Sequence, residues 1–292
     1  MKKLLNVINN RISYNLDLNR FLIVGNAFNK RSIFLYRSTD KKPFLVVKIP
    51  ENKQSAARCQ AEYGALVSLS DFNIDGIESA KPAGIFEYEN KLLYLQTTVI
   101  STPFLSIINP IKKRFNHRQF DLLTSALVNI YNSTKLKQKV LNKSYSLCFQ
   151  HGDYWIGNLG FLNNNICLYD LEFSTNTGFP LYDLLHMGLY LGVVIENVGR
   201  LGMDVKSEKY NKSTDTRKFE ISNALITRTF FDNSNLAKTM RICINTYLSK
   251  TGINNNDGIQ LVKSYFIDDR QLEDLDFNWV NILKLSGNNN NN

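Results

Sequence analysis

The sequence predicts an α+β chain in two lobes: a small antiparallel sheet with one helix, then a larger, mainly helical lobe. Three observations carry that reading. Between Phe21 and Ile49, three apolar, β-branched runs are separated by turn-forming segments. One amphipathic helix pattern and two further strands fill the rest of the first hundred residues. After Thr98-Val99-Ile100-Ser101-Thr102-Pro103 the spacing of apolar residues becomes helical.

Residues 1–13 suit a short helix. Phe21–Val24, Ser32–Tyr36 and Phe44–Ile49 read as strands of an antiparallel meander, punctuated by Gly25–Asn29 and Thr39–Lys42. A helix fits 54–69, where Cys59, Tyr63, Leu66 and Val67 share one face. Strands follow near Gly84–Tyr88 and Lys91–Thr98 and close the first lobe, residues 1–98. The second lobe, 99–287, is expected to hold helices at 117–133, 180–195, 219–230, 234–249 and 257–268. Its one strand element is expected to be a hairpin between 158 and 170. The polar stretch 197–218 reads as a long loop and Asn288–Asn292 as a disordered tail.

Composition excludes several classes. A chain of 292 residues, 43% hydrophobic and 21% charged, is globular rather than disordered, collagenous or a coiled-coil rod. Cys59, Cys148, Cys167 and Cys243 lie far apart, with neither zinc-ligand nor dense disulfide spacing, which points to a reducing compartment. Asn6, Asn9 and Asn10 break the first apolar run, and Pro180–Ile195 carries Asp183 and His186 and is too short for a bilayer. A soluble, cytoplasmic protein with no membrane span is expected. The net charge of +9 lies in residues 1–60, with 12 Lys and Arg against 3 Asp and Glu; the remaining 23 and 23 balance. Such a lobe suits a nucleotide, a nucleic acid or an acidic membrane, and equally a solvated basic face.

The informative stretch is Gln150-His151-Gly152-Asp153-Tyr154-Trp155-Ile156-Gly157-Asn158, followed by Leu168-Tyr169-Asp170-Leu171-Glu172. A turn centred on Asn164 would set Asn158 opposite Asp170, an amide oxygen beside a carboxylate. Both are hard ligands of the kind Mg²⁺ takes alongside phosphate oxygens. Asp153, one loop earlier, would reach a hydroxyl held near the same phosphate. Upstream, Lys48 ends a strand, and Glu62 sits mid-helix on a turn adjoining the apolar face. A Lys48–Glu62 pair would aim the ammonium at nucleotide phosphates. Taken singly, these residues also read as a loop cap, a backbone-bonded histidine and uncoupled surface charges.

Together, Val47-Lys48-Ile49, Glu62, His151-Gly152-Asp153 with Asn158 after four intervening residues, and Asp170-Leu171-Glu172 resemble the protein-kinase-like fold. They resemble more narrowly its aminoglycoside phosphotransferase and choline kinase branch. The resemblance implies a bilobal kinase-like fold and transfer of the γ-phosphate of ATP or GTP to a hydroxyl of a small molecule. It also implies Asp153 as base, Asn158 and Asp170 as Mg²⁺ ligands, and Lys48 with Glu62 at the nucleotide. Pro180-Leu181-Tyr182-Asp183-Leu184-Leu185-His186 resembles the family's next helix, whose early aspartate braces the catalytic loop; Asp183 is also a first-turn acid favoured by the helix dipole. On this reading His151 supports the loop through backbone bonds, and Gln96 and Thr98 offer backbone groups to the purine. Gly25–Arg31 departs from the protein-kinase pattern in holding one glycine, and Lys30 or Arg31 would assist there.

Seven residues, Phe173–Phe179, separate Glu172 from the Pro180 helix start, too few for a peptide-docking activation segment. A small hydroxyl-bearing acceptor is therefore expected, and no nucleic-acid partner. An acidic group of Asp268, Asp269, Glu273, Asp274 and Asp276 would suit a polycationic acceptor, and equally a solvated helix face. Trp155 and Trp279 suit a cation–π cage or simply the core. Antibiotics, amino alcohols and sugars all stay open, as does the oligomeric state. Two rival readings are a catalytically inactive nucleotide-binding scaffold and a polyanion-binding module using the basic first lobe.

Overall fold

The computed structural model describes residues 2–12, 14–25, 29–103, 108–109, 114–115, 117–140, 143–198, 229 and 233–253. It is an α+β chain. In order come α1 (Lys2–Arg11), β1 (Leu16–Gly25), β2 (Lys30–Arg37), β3 (Leu45–Pro50), α2 (Lys53–Phe72), β4 (Ile77–Ser79), β5 (Pro82–Tyr88) and β6 (Lys91–Thr97). Next are β7 (Thr102–Pro103), β8 (Ile108–Asn109), β9 (Arg114–Phe115), α3 (His117–Thr134), β10 (Leu136–Val140) and β11 (Lys143–Gln150). The chain continues with β12 (Leu159–Leu162), β13 (Asn165–Leu168), β14 (Thr175–Gly178), α4 (Tyr182–Val198) and α5 (Asn235–Thr251). The expected helix at 219–230, apart from Thr229, lies outside the described residues. So do the helix at 257–268, the acidic group 268–276, Trp279, the tail, and the 197–218 loop after Val198.

The described residues form two compact units: unit 1 takes those within 1–102, 151–153 and 160–176, and unit 2 those within 103–150, 154–159 and 177–253. The centre of unit 1 is a five-stranded antiparallel sheet in the order β1-β2-β3-β6-β5. Strand alternation sorts its side chains. Ile33, Leu35, Leu45, Val47, Leu93 and Leu95 point to one face, where Leu4, Leu5 and Ile8 of α1 cover them and close a buried core. Val46, Lys48, Tyr94 and Gln96 therefore fall on the opposite face, with Val46 paired to Gln96 and Lys48 to Tyr94. Ser32 pairs with Lys48, so Ser32 and, two residues earlier, Lys30 share that second face.

Helix α2 starts at a capping box: the Asn52 side chain accepts from the Ser55 amide at 2.8 Å, and Ser55 Oγ accepts from the Asn52 amide at 3.1 Å. It ends at Asn73 in the left-handed region. Its buried stripe is Ser55, Cys59, Glu62, Leu66 and Leu69, at helical spacing. The expected face is thus rotated. Glu62 lies within the stripe rather than beside it, and Val67 is exposed.

A second sheet takes the order β4-β13-β12-β7, with β4 parallel to β13. Asn163 and Asn164 both have positive φ, 52° and 70°, the mark of a two-residue type I′ turn. The turn is therefore not centred on Asn164, and the register that set Asn158 opposite Asp170 is displaced by one residue.

In unit 2, α3 packs against α4, α5 and β11. Tyr131 and Tyr247 meet edge to face at 6.3 Å. Helix α3 ends where Thr134 Oγ1 accepts the Phe149 amide at 2.9 Å and donates to the Ile130 carbonyl at 2.7 Å. A further hairpin, β10 with β11, corrects the expectation of a single hairpin in this half; Leu136 pairs with Leu147. Its apolar alternation is diluted by Lys137, Lys139, Ser144 and Ser146, which hid the strand period.

Candidate active site

The second face of the five-stranded sheet carries the site. Lys48 projects from β3, and both carboxylate oxygens of Glu62 on α2 accept its ammonium. Gln96 Nε2, also on this face, donates to Glu62 Oε1 at 3.4 Å. The strand pleat sets Lys48 and Gln96 on the face opposite α1, and the helix stripe carries Glu62 to meet them. Glu62 is buried and Lys48 keeps only a small exposed fraction, so Glu62 fixes the direction of a four-carbon chain that would otherwise wander.

Two residues beyond β13, Asp170 takes a left-handed backbone, φ 54°, and opens a short 3-10 turn, Leu171–Phe173, that packs on α2. Its carboxylate is 41% exposed and lies 3.7 Å from Lys30 Nζ. Glu172 is 1% exposed; Lys30 Nζ sits 3.0 Å from its Oε2, and Arg58 Nη1 on α2 sits 3.3 Å from its Oε1. Burial lowers the Lys30 pKa, but Asp170, Glu62 and Glu172 outweigh it and leave the ammonium above its ordinary 10.5. Lys30 therefore feels both carboxylate groups, the one on α2 and those after β13.

The segment His151–Asp153 is bound to the same region. His151 Nδ1 accepts the Asp153 amide at 3.3 Å, which assigns the ring proton to Nε2, 2.9 Å from the Tyr169 carbonyl it bonds. One buried imidazole thus ties the Asp153 backbone to the residue preceding Asp170. Gly152 has φ 79°, and a Cβ there would stand 2.2 Å from the Phe173 carbonyl oxygen. Only glycine lets this loop lie so close to the 3-10 turn.

The other expected residues are placed as follows. The Thr98 amide donates to the Phe44 carbonyl at 2.9 Å and its hydroxyl to the Pro43 carbonyl, so the backbone group it has left to offer is its carbonyl. Asn158 belongs to unit 2, where it is buried at the end of the 3-10 turn Ile156–Asn158 with its amide on the Trp155 carbonyl at 2.9 Å. Asp183 is buried in the first turn of α4, also in unit 2. After burial itself, its charge is what pushes the Tyr154 hydroxyl and the Cys148 thiol up. Arg31 faces away from the site and pairs with Glu51 at 3.1 Å; of the two cations expected to assist, Lys30 is the one at the carboxylates. Residues 26–28 lie outside the described residues.

No family model matches the chain, and no curated protein matches it. Among solved structures it is similar to the GDP complex of a mutant aminoglycoside 2'-phosphotransferase-IIIa, at TM-score 0.46 and 10% identity, over 99% of this chain and 97% of that one. A thermostable mutant of aminoglycoside phosphotransferase APH(4)-Ia, in ternary complex with ADP and hygromycin B, matches at TM-score 0.45 and 9% identity over 97% and 98%. The macrolide 2'-phosphotransferase MphH from Brachybacterium faecium matches at TM-score 0.45 and 11% identity over 89% and 96%.

Among the described residues no helix is long and apolar enough to cross a membrane, and no group of three or more His, Cys, Asp or Glu could hold a metal. Arg58 is the site residue that sequence reasoning missed. Its signal was present: it precedes Glu62 by one helical turn and so shares its face.

Proposed function

We propose that the chain is a small-molecule kinase that transfers the terminal phosphoryl group of ATP or GTP to a hydroxyl of a small acceptor. The observation that carries this reading is Lys48 held by Glu62 on the sheet face that also bears Lys30, with Lys30 at the Asp170 and Glu172 carboxylates. Paired cations on a rigid sheet, next to an exposed carboxylate, are what a nucleotide polyphosphate needs to be bound and aligned.

In this reading Lys48 and Lys30 bind phosphate oxygens. Asp153, its backbone fixed by His151, orients the acceptor hydroxyl and takes its proton as the oxygen attacks the terminal phosphorus. The bond to the bridging oxygen breaks and the nucleoside diphosphate leaves. Asp170 and Asn158 would hold Mg²⁺, and Asp183 braces the loop. Asp170 suits that role because its carboxylate is open, and Mg²⁺ ordinarily takes one or two protein oxygens plus phosphate rather than an all-protein cage. When bound, the ion neutralises charge on the phosphates. Gln96 supports the Glu62 carboxylate from its side chain, and Thr98 would offer its carbonyl to the purine. Four free, buried cysteines support a reducing, cytoplasmic location.

The test is thermal stability with ATP or GTP, with and without Mg²⁺. Ligand at a hundredfold excess over Kd adds about 2.7 kcal/mol. A Mg²⁺-dependent shift that Asp170→Asn abolishes supports the reading; no shift of the wild type by either nucleotide overturns it.

A further inference from the structure

The Glu172 carboxylate is buried, and it has two cations: Lys30 Nζ at 3.0 Å on one oxygen and Arg58 Nη1 at 3.3 Å on the other. Burying such a cluster is a weak source of stability, because desolvation offsets most of the attraction. What the cluster does supply is location. Lys30 is a flexible four-carbon cation at the first residue of β2, 142 residues from Glu172 in sequence. Its ammonium lies nearer to Glu172 than to Asp170, at 3.0 against 3.7 Å. Glu172 therefore bears the hydrogen bond and leaves the Asp170 carboxylate, 41% exposed, open toward other ligands. Arg58 is held in turn by α2, the helix that aims Lys48 through Glu62.

We propose that Glu172 is a positioning residue: anchored by Arg58, it holds the Lys30 ammonium beside Asp170 as a preformed contact for the polyphosphate of a nucleotide. This deepens the kinase reading and rests on it for the identity of the ligand. The site then has two aimed cations, Lys48 set by Glu62 and Lys30 set by Glu172, both hung from one helix. A ligand that meets cations already in place loses less to ordering than one that must gather them.

Calorimetric titration of the full chain with Mg·ATP and, separately, with inorganic tripolyphosphate tests this. It is run on wild type, Lys30→Met, Glu172→Gln and the double variant, at a temperature where circular dichroism shows all four folded. Each single variant is expected to weaken both ligands by about tenfold or more, the size of a lost charge-assisted hydrogen bond. The double variant should be no weaker than the worse single one, because the two residues act as one device. Wild-type affinity in folded Glu172→Gln, or losses that multiply in the double variant, would overturn the proposal. Should Glu172→Gln fail to fold, unchanged tripolyphosphate affinity in Lys30→Met overturns it alone. If tripolyphosphate binding depends on both residues but no acceptor is phosphorylated, the kinase reading fails and the positioning role stands.

Discussion

Glu62 accepts the Lys48 ammonium through both carboxylate oxygens, 14 residues apart in sequence and brought together by a strand pleat and a helix stripe. Glu62 is buried and Lys48 largely shielded, so removing the lysine leaves a buried carboxylate without its cation. Lys48→Met should destabilise the fold by about 3–5 kcal/mol. Lys48→Met with Glu62→Met should recover most of that loss, since two apolar side chains replace the pair. Chemical denaturation of the three variants measures both steps. A double variant as unstable as the single would show that packing, not charge, sets the cost.

Asp170 has a left-handed backbone that Asn adopts as readily as Asp, and Ala less so. Asp170→Asn should therefore keep wild-type stability within about 0.5 kcal/mol while abolishing phosphoryl transfer. Asp170→Ala should lose activity and, in addition, about 1 kcal/mol of stability from the strained φ. Denaturant midpoints alongside an ATP-consumption assay separate charge from backbone. Asp153→Ala should abolish turnover with the fold intact. Retained turnover in Asp170→Asn or Asp153→Ala would remove that residue from the mechanism.

Legibility in the sequence followed the range of the physical signal. Strands β2, β3, β5 and β6 announced themselves as apolar, β-branched runs between turn segments, and helices α2 to α5 through helical spacing. Lys48 and Glu62 were readable because each lies on its own periodic element. Arg58 was within reach by the same helical spacing. The β10–β11 hairpin escaped because lysine and serine dilute its alternation, and β4, three residues long, is too short to carry any period. The Lys30–Glu172 contact had no local signal at all. Nothing in the spacing of residues 142 apart tells which partner a buried carboxylate takes. The turn register was misread by one because three consecutive asparagines leave its centre undefined until the two positive φ angles are seen.

The close approach at Gly152 makes the loop intolerant of a methyl group. A Cβ would meet the Phe173 carbonyl oxygen at 2.2 Å, and φ 79° is strained for any other residue. Gly152→Ala should cost more than about 2 kcal/mol, the sum of a left-handed alanine and a backbone clash. The damage should be local to His151–Asp153 and Leu171–Phe173. Hydrogen exchange should show both segments losing protection together, and loss in one without the other would contradict the packing.

High pH should weaken the fold through its buried thiols. Burial pushes Cys243 up from 9.0 to about 11. Below pH 9 both folded and unfolded thiols hold their proton, and the contribution to stability is complete. Between pH 9 and 11 the unfolded thiol ionises while the folded one does not, so stability falls as pH rises and is lost through the folded pKa. The shift corresponds to roughly 2–3 kcal/mol over that window. Burial also raises Cys148, Tyr154 and Tyr247, so they act in the same direction. Cys243→Ala removes one of these groups. Its unfolding free energy, followed from pH 8 to 11, should decline less steeply than the wild type's. Parallel declines would show that the Cys243 thiol titrates alike in both states.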